Sequence, residues 1–131
     1  DVRVWDPHSD ALAATPTRMT KPLAQLVEVV PDAGPRGTLT LCDTLAEAVD
    51  GADLVQENAP ENIPVKHDLY AQVEPFLADH AVLASSTSAL TWSELAPGLQ
   101  DPARLITAHP FNPPHLVPRR CIAVRVVCRC G

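Results

Sequence analysis

Four polar features close apolar or β-branched runs in this chain: Asp6, the loop Asn58 to Asn62, the run Ser85-Ser86-Thr87-Ser88, and His109. Their chemistry is varied. An imidazole can take or give a proton near neutral pH. Hydroxyls can hold an oxygen. A carboxylate after a first strand, as at Asp6, can accept hydrogen bonds from both hydroxyls of an adenine ribose and repels a 2′-phosphate, which favours NAD over NADP. Each residue also has an ordinary explanation. Asp6-Pro7 is a common turn opening. His109 could be a satisfied polar residue at a strand end, and the serines could be only a loop. Glu61 could cap a helix starting near Pro64, and Lys66 and His67 could form a solvated helix face. His115 sits in a proline-rich stretch that reads as loop, and His8 and His80 carry no signal. The shared placement at strand ends carries more weight than any single residue.

Alternating strands and helices must position these groups. Val2 to Trp5 reads as a strand. Asp10 to about Val30 has helical spacing, with Pro16 and Pro22 expected to kink or split it. Pro31 to Gly37 is turn-rich, and Thr38 to Cys42 is β-prone. Leu45 to Val49 reads as a short helix capped by Asp43 or Thr44. Ala52 to Glu57 is a strand entering the Pro-rich loop. A helix then runs from Pro64, tolerated in a first turn, to about Leu77. Ala81 to Ala84 is a buried strand, Trp92 to Leu95 a helical turn, and Leu105 to Ala108 another buried strand. Nearly continuous apolar strands separated by helices imply an α/β fold, Rossmann-like and doubly wound, with a mainly parallel sheet. Ligands of such a sheet lie beyond the carboxyl ends of its strands, so the four features are expected to line one crevice.

The chain of 131 residues suits one domain with a core. A net charge of −6 argues against a nucleic-acid or anionic-membrane surface. No apolar run approaches a membrane span and no secretory signal is visible. A cytoplasmic protein is expected. The first residue is Asp1 and the single methionine is Met19, so the chain is expected to begin inside a longer one. Arg119 to Gly131 holds three of the four cysteines and four of the ten basic residues, and no Asp or Glu follows Asp101. This shift is expected to divide the chain into residues 1–118 and a discordant tail, 119–131, and suggests a different origin for the tail, such as a frameshift or splice variant. Cys121, Cys128 and Cys130 lack the paired spacing of structural zinc sites, so no metal is expected, and a disulfide framework does not suit the rest of the chain.

Three motifs follow in order. The first is Ala52-Asp53-Leu54-Val55-Gln56-Glu57-Asn58-Ala59-Pro60-Glu61-Asn62 with Lys66 after it. The second is Ser85-Ser86-Thr87-Ser88, and the third His109-Pro110-Phe111-Asn112-Pro113. Together, over about Val2 to Pro118, they resemble the 3-hydroxyacyl-CoA dehydrogenase family. Their wording is closer to the carnitine and gulonate dehydrogenase branches than to the acyl-CoA branch. The resemblance implies NAD as cofactor and a 3-hydroxy acid or acyl-CoA as small-molecule substrate, oxidised to the 3-oxo product. It implies His109 as general base, Ser88 as hydrogen-bond partner of the same substrate oxygen, and Asn112 as a residue placing substrate and histidine. Ser86, Ala59, Glu61 and Lys66 would lie along the cofactor, with Asp6 on the ribose. A homodimeric parent is implied as well.

The chain departs from that pattern in three ways. No Gly-rich phosphate loop precedes Asp6. The family's C-terminal helical domain is not present. In the family the catalytic histidine pairs with a glutamate twelve residues on; that position is Cys121 here, and no carboxylate downstream of His109 can fix its tautomer. The chain alone is therefore expected to be inactive or nearly so. Loss of the glutamate favours a second reading, a non-catalytic NAD-binding or structural relative of the same fold. A third is an unrelated α/β interaction module with its tail as a metal or partner site.

Overall fold

The computed structural model describes residues 1–31 and 37–116, together with the backbone of residues 120–123. The chain forms two compact units: Asp1–Asp50 with Phe111–Arg119, and Gly51–Pro110 with Arg120–Gly131.

In the first unit, β1 (Val2–Val4) pairs in parallel with β2 (Leu39–Leu41), Val2 opposite Leu39 and Val4 opposite Leu41. The connection between them contains α1 (Ser9–Val29). This helix is continuous through Pro16 and Pro22, so the expected split does not occur. Each proline removes one backbone donor, and the hydrogen-bonded turns on either side persist. None of its side chains is buried. Helix α2 (Leu45–Val49) is capped by Thr44, which accepts from the Glu47 amide while the Glu47 carboxylate accepts from the Thr44 amide. Such a reciprocal box satisfies two donors that helix geometry leaves without partners. At the other end of α2, the Arg3 guanidinium donates to the carbonyls of Glu47, at 2.9 Å, and Asp50. A cation there also opposes the negative end of the helix dipole. Gly51 follows with φ of 65°, a left-handed conformation that glycine reaches without a Cβ penalty.

The second unit is built on four strands in the order β3 (Leu54–Glu57), β4 (Val82–Ser85), β5 (Leu105–Pro110) and β6 (Arg120–Ala123). The first three are parallel, and β6 runs antiparallel to β5 with Cys121 opposite His109. The chemistry of the tail sequence carries no expectation of β6. Helix α3 (Ile63–Val73) starts at Asn62, whose side chain accepts from the Val65 amide at 3.1 Å. It ends four residues before the expected Leu77, passing into a tighter turn over Glu74–Phe76. Pro75 has no N–H to continue the α pattern. Helix α4 (Trp92–Leu95) is closed by a second capping box, Thr91 with Glu94.

The core of this unit gathers Tyr70, Val73, Leu77, Ala81, Leu83, Ala84, Leu95, Ala96, Leu99, Leu105 and Ala108. A fully buried leucine such as Leu83 or Leu95 contributes roughly 1.5–3 kcal/mol. Packing is close where α3 meets the turn Ala96–Gly98: a Cβ on Gly98 would lie 2.6 Å from the His67 ring. His67 Nε2 is 2.8 Å from the Glu94 carbonyl oxygen. The solvated-face reading of Lys66 and His67 is thus corrected: Lys66 is buried and His67 half-buried against α4. No described helix is long and apolar enough to cross a membrane. Parallel strands joined through helices make the fold Rossmann-like.

Candidate functional site

The C-terminal ends of β3, β4 and β5 carry the polar groups. Two carboxylates organise them. Glu57, the last residue of β3, is buried and accepts five hydrogen bonds. They come from Lys66 Nζ at 2.7 and 2.9 Å, Tyr70 Oη at 2.9 Å, Ser85 Oγ at 2.7 Å and the Ala59 amide. Lys66 Nζ also donates to the Ala59 carbonyl at 3.2 Å. The helical spacing of Lys66 and Tyr70 puts both on one face of α3. Burial drives the Tyr70 hydroxyl well above its ordinary range; a hydrogen bond with Ser85 opposes this, and the Glu57 charge adds to it. Among the described residues, every buried side-chain nitrogen and oxygen has a hydrogen-bond partner, as buried charges require.

Glu61 stands in the loop after β3 and reaches the loop after β4. Its Oε1 accepts from the Thr87 hydroxyl and from the amides of Ser88 and Ala89, both at 2.9 Å. Desolvation is the largest influence on this carboxyl and raises its pKa. The hydrogen bonds from Thr87, Ala89, Ser88 and Leu90 together outweigh it and hold the value at about 2. The Thr87 hydroxyl in turn accepts from the Leu90 amide at 2.9 Å. The Glu61 carboxylate therefore fixes the serine loop, while the cap of α3 falls to Asn62.

The candidates separate as follows. Ala59, Glu61, Lys66, Ser86, Ser88 and His109 belong to the second unit, Asp6 and Asn112 to the first. Ser88 is exposed, and Ala59 and Ser86 are half-buried. Lys66 is fully buried, with its ammonium directed at Glu57 and the Ala59 carbonyl, and its nearest approach to Glu61 is 3.9 Å. His109 is half-buried, and its Nδ1 lies 2.8 Å from the Ser86 carbonyl oxygen. Asp6 accepts from the His8 amide at 2.8 Å through one carboxylate oxygen, a local turn contact. His115 Nε2 meets the Gln25 side-chain oxygen at 2.8 Å within the first unit. Glu57, Tyr70 and Thr87 were not among the sequence candidates. Glu57 ends an apolar strand, Tyr70 follows Lys66 by one helical turn, and Thr87 sits inside the serine run. Those positions are the available signals. Among the described residues, no group of three His, Cys, Asp or Glu side chains is placed to hold a metal. The Cys121 side chain, Cys128 and Cys130 lie outside the described residues.

The chain is similar in sequence and fold to known proteins. The family described as 3-hydroxyacyl-CoA dehydrogenase, NAD binding domain, matches residues 1–119, and the chain belongs to it. It is similar to L-carnitine dehydrogenase of Nocardiopsis dassonvillei, 43% identical over 118 residues, covering 89% of this chain and 36% of that protein. It is also similar to L-carnitine dehydrogenase/betainyl-CoA thioesterase of Agrobacterium fabrum, 38% identical over 119 residues, covering 90% of this chain and 25% of that protein. The chain thus spans about a third of the length of the first relative and a quarter of the second. Among solved structures, a 5-formyl-3-hydroxy-2-methylpyridine 4-carboxylic acid 5-dehydrogenase, an NAD+ dependent dismutase, superposes with a TM-score of 0.84 at 28% identity, covering 95% of this chain and 41% of that one. The 3-hydroxyacyl-CoA dehydrogenase of Archaeoglobus fulgidus gives a TM-score of 0.75 at 27% identity, with coverage of 95% and 39%.

Proposed function

We propose that this chain is the NAD-binding part of a dehydrogenase that oxidises the 3-hydroxyl of a hydroxy acid or its thioester to the ketone. The two relatives named L-carnitine dehydrogenase make L-carnitine the first substrate to try. The family match over residues 1–119 is the observation that carries the reading.

The residues present suit NAD. Asp6 is half-buried, and its local turn contact engages Oδ1, so the carboxylate retains acceptor capacity for ribose hydroxyls. Ala59 and Ser86 stand half-open at the ends of two adjacent parallel strands, where ligands of such sheets bind. Lys66 serves from beneath: Glu57 holds its ammonium, and the ammonium holds the Ala59 carbonyl and so the shape of the loop. Glu61 serves likewise, through the serine loop.

Bound NAD supplies the acceptor for the hydride that leaves the carbinol carbon. The chain's own groups handle the oxygen and its proton. His109 takes the hydroxyl proton, and Ser88 holds the same oxygen as it becomes a carbonyl. Asn112 helps to place substrate and histidine. The whole protein is a cytoplasmic homodimer in this reading.

The β5–β6 register favours a second possibility for the chain taken alone: the residue opposite His109 is Cys121, which brings no carboxylate. NAD binding without turnover is then the expected behaviour. Titration of NAD and NADP into the chain, followed by calorimetry, tests the reading. Saturable binding of NAD, tighter than NADP by roughly tenfold because Asp6 repels a 2′-phosphate, is expected. No NAD binding, or equal binding of both, would overturn it.

A further inference from the structure

We infer that the backbone carbonyl of Ser86 holds His109 in one neutral tautomer, with the proton on Nδ1 and the lone pair on Nε2. The two atoms Nδ1 and Ser86 O are 2.8 Å apart. A carbonyl oxygen can only accept, so the ring nitrogen facing it is the donor. In the neutral ring the opposite nitrogen then bears the lone pair.

The carbonyl is itself fixed. The Ser86 amide donates to the Glu57 carbonyl at 2.9 Å, continuing the β3–β4 ladder by one residue. Ser85, just before it, is paired with Thr107 of β5 and donates its hydroxyl to Glu57 at 2.7 Å. Turning the Ser86 carbonyl away from His109 would strain this anchored strand end. The amide of Ser86 is thus tied to Glu57 while its carbonyl faces His109, so the residue is held on both sides of its Cα.

A carboxylate partner would do two things: orient the imidazole and offset the positive charge formed when it takes a proton. A peptide carbonyl does the first and contributes only a dipole to the second. Ser86 is thus a positioning residue. The assignment rests on the proposed function only for the origin of the proton that Nε2 would accept; the tautomer is a property of the free chain.

Two-bond proton–nitrogen spectra of the imidazoles in the nitrogen-15-labelled 131-residue chain read the tautomer directly. His109 is assigned by the signal missing from H109Q, and independently by correlation to its own β-carbon, so the assignment survives a variant that folds poorly. At a pH where the rings are neutral, the Nδ1-protonated form is expected in roughly tenfold excess at His109. The same result is expected in S86A, which keeps the carbonyl. Protonation at Nε2, averaging between the two tautomers, or a changed tautomer in S86A would overturn the inference. A chain with the expected tautomer that fails to bind NAD sinks the proposed function alone. A chain that binds NAD with the other tautomer sinks only this assignment.

Discussion

Glu61 shows how one acceptor can set a loop. Its carboxylate gathers a hydroxyl and two amides from Thr87, Ser88 and Ala89. The folded value of about 2 lies below the ordinary 4.5, so the group adds stability above pH 4.5, and that stability is lost as pH falls toward 2. Glu94 is lowered in the same direction by its hydrogen bonds to Thr91, so it loses its share on acidification too. E61A is expected to lower stability at pH 7 by about 1 kcal/mol, since the carboxylate is partly open to water. It is also expected to flatten the decline below pH 4.5. Urea midpoints at pH 7 and pH 3 measure both effects, and an unchanged acid limb would reject this account of the loop. At Asp6 the expected change concerns the cofactor: D6A weakens NAD roughly tenfold and narrows the gap to NADP, as loss of a charged hydrogen-bond acceptor does. Parallel calorimetric titrations of wild type and variant check it.

At the scale of elements, the buried pair Glu57–Lys66 ties β3 to α3, and Ser85 brings in β4. With Lys66 fully buried and the Glu57 side chain 2% exposed, removing one partner leaves an uncompensated charge in the interior. K66M is therefore expected to cost about 3–5 kcal/mol. The double variant E57Q/K66M should cost clearly less than the sum of the two single ones, and a thermal-unfolding cycle measures the coupling. Additive losses would show that the two groups act independently. Helix α2 offers a milder case. T44A removes one half of its capping box and is expected to cost about 1 kcal/mol by the same measurement.

For the whole molecule, the two units differ in what they bury. Cys42 and Val49 are the buried apolar side chains described in the first, while the second holds Tyr70, Leu83, Leu95, Leu105 and their neighbours. Regions with few buried contacts open at low free energy. Amide exchange is expected to be slowest in β3, β4, β5 and α3, and faster throughout α1, which buries no side chain. Mass spectrometry of exchange resolved to these segments tests the order, and equal protection of α1 and β4 would refute it.

Much of this was legible in the residues. Apolar runs bounded by proline, glycine and polar clusters mark β4 and β5, because buried strands carry nearly continuous apolar side chains, while β1 and β2 show as short β-prone stretches interrupted by Arg3 and Thr40. Short helices declare themselves where a cap is encoded locally, as at Thr44 with Glu47. The three motifs identify the family, since their order and spacing reflect strand ends of one parallel sheet. Other features depend on contacts that sequence distance conceals. Nothing in the order of residues says that Glu61 reaches 26 to 28 positions along the chain to Thr87, Ser88 and Ala89. Nor does it say that Lys66 turns inward to Glu57. A lysine on a helix is read as solvated until a buried carboxylate is brought within its reach. The partner of His109 was sought among acidic side chains, which the sequence can display. Tertiary structure supplies instead a backbone carbonyl at Ser86, a group every residue carries, selected only by the register of neighbouring strands.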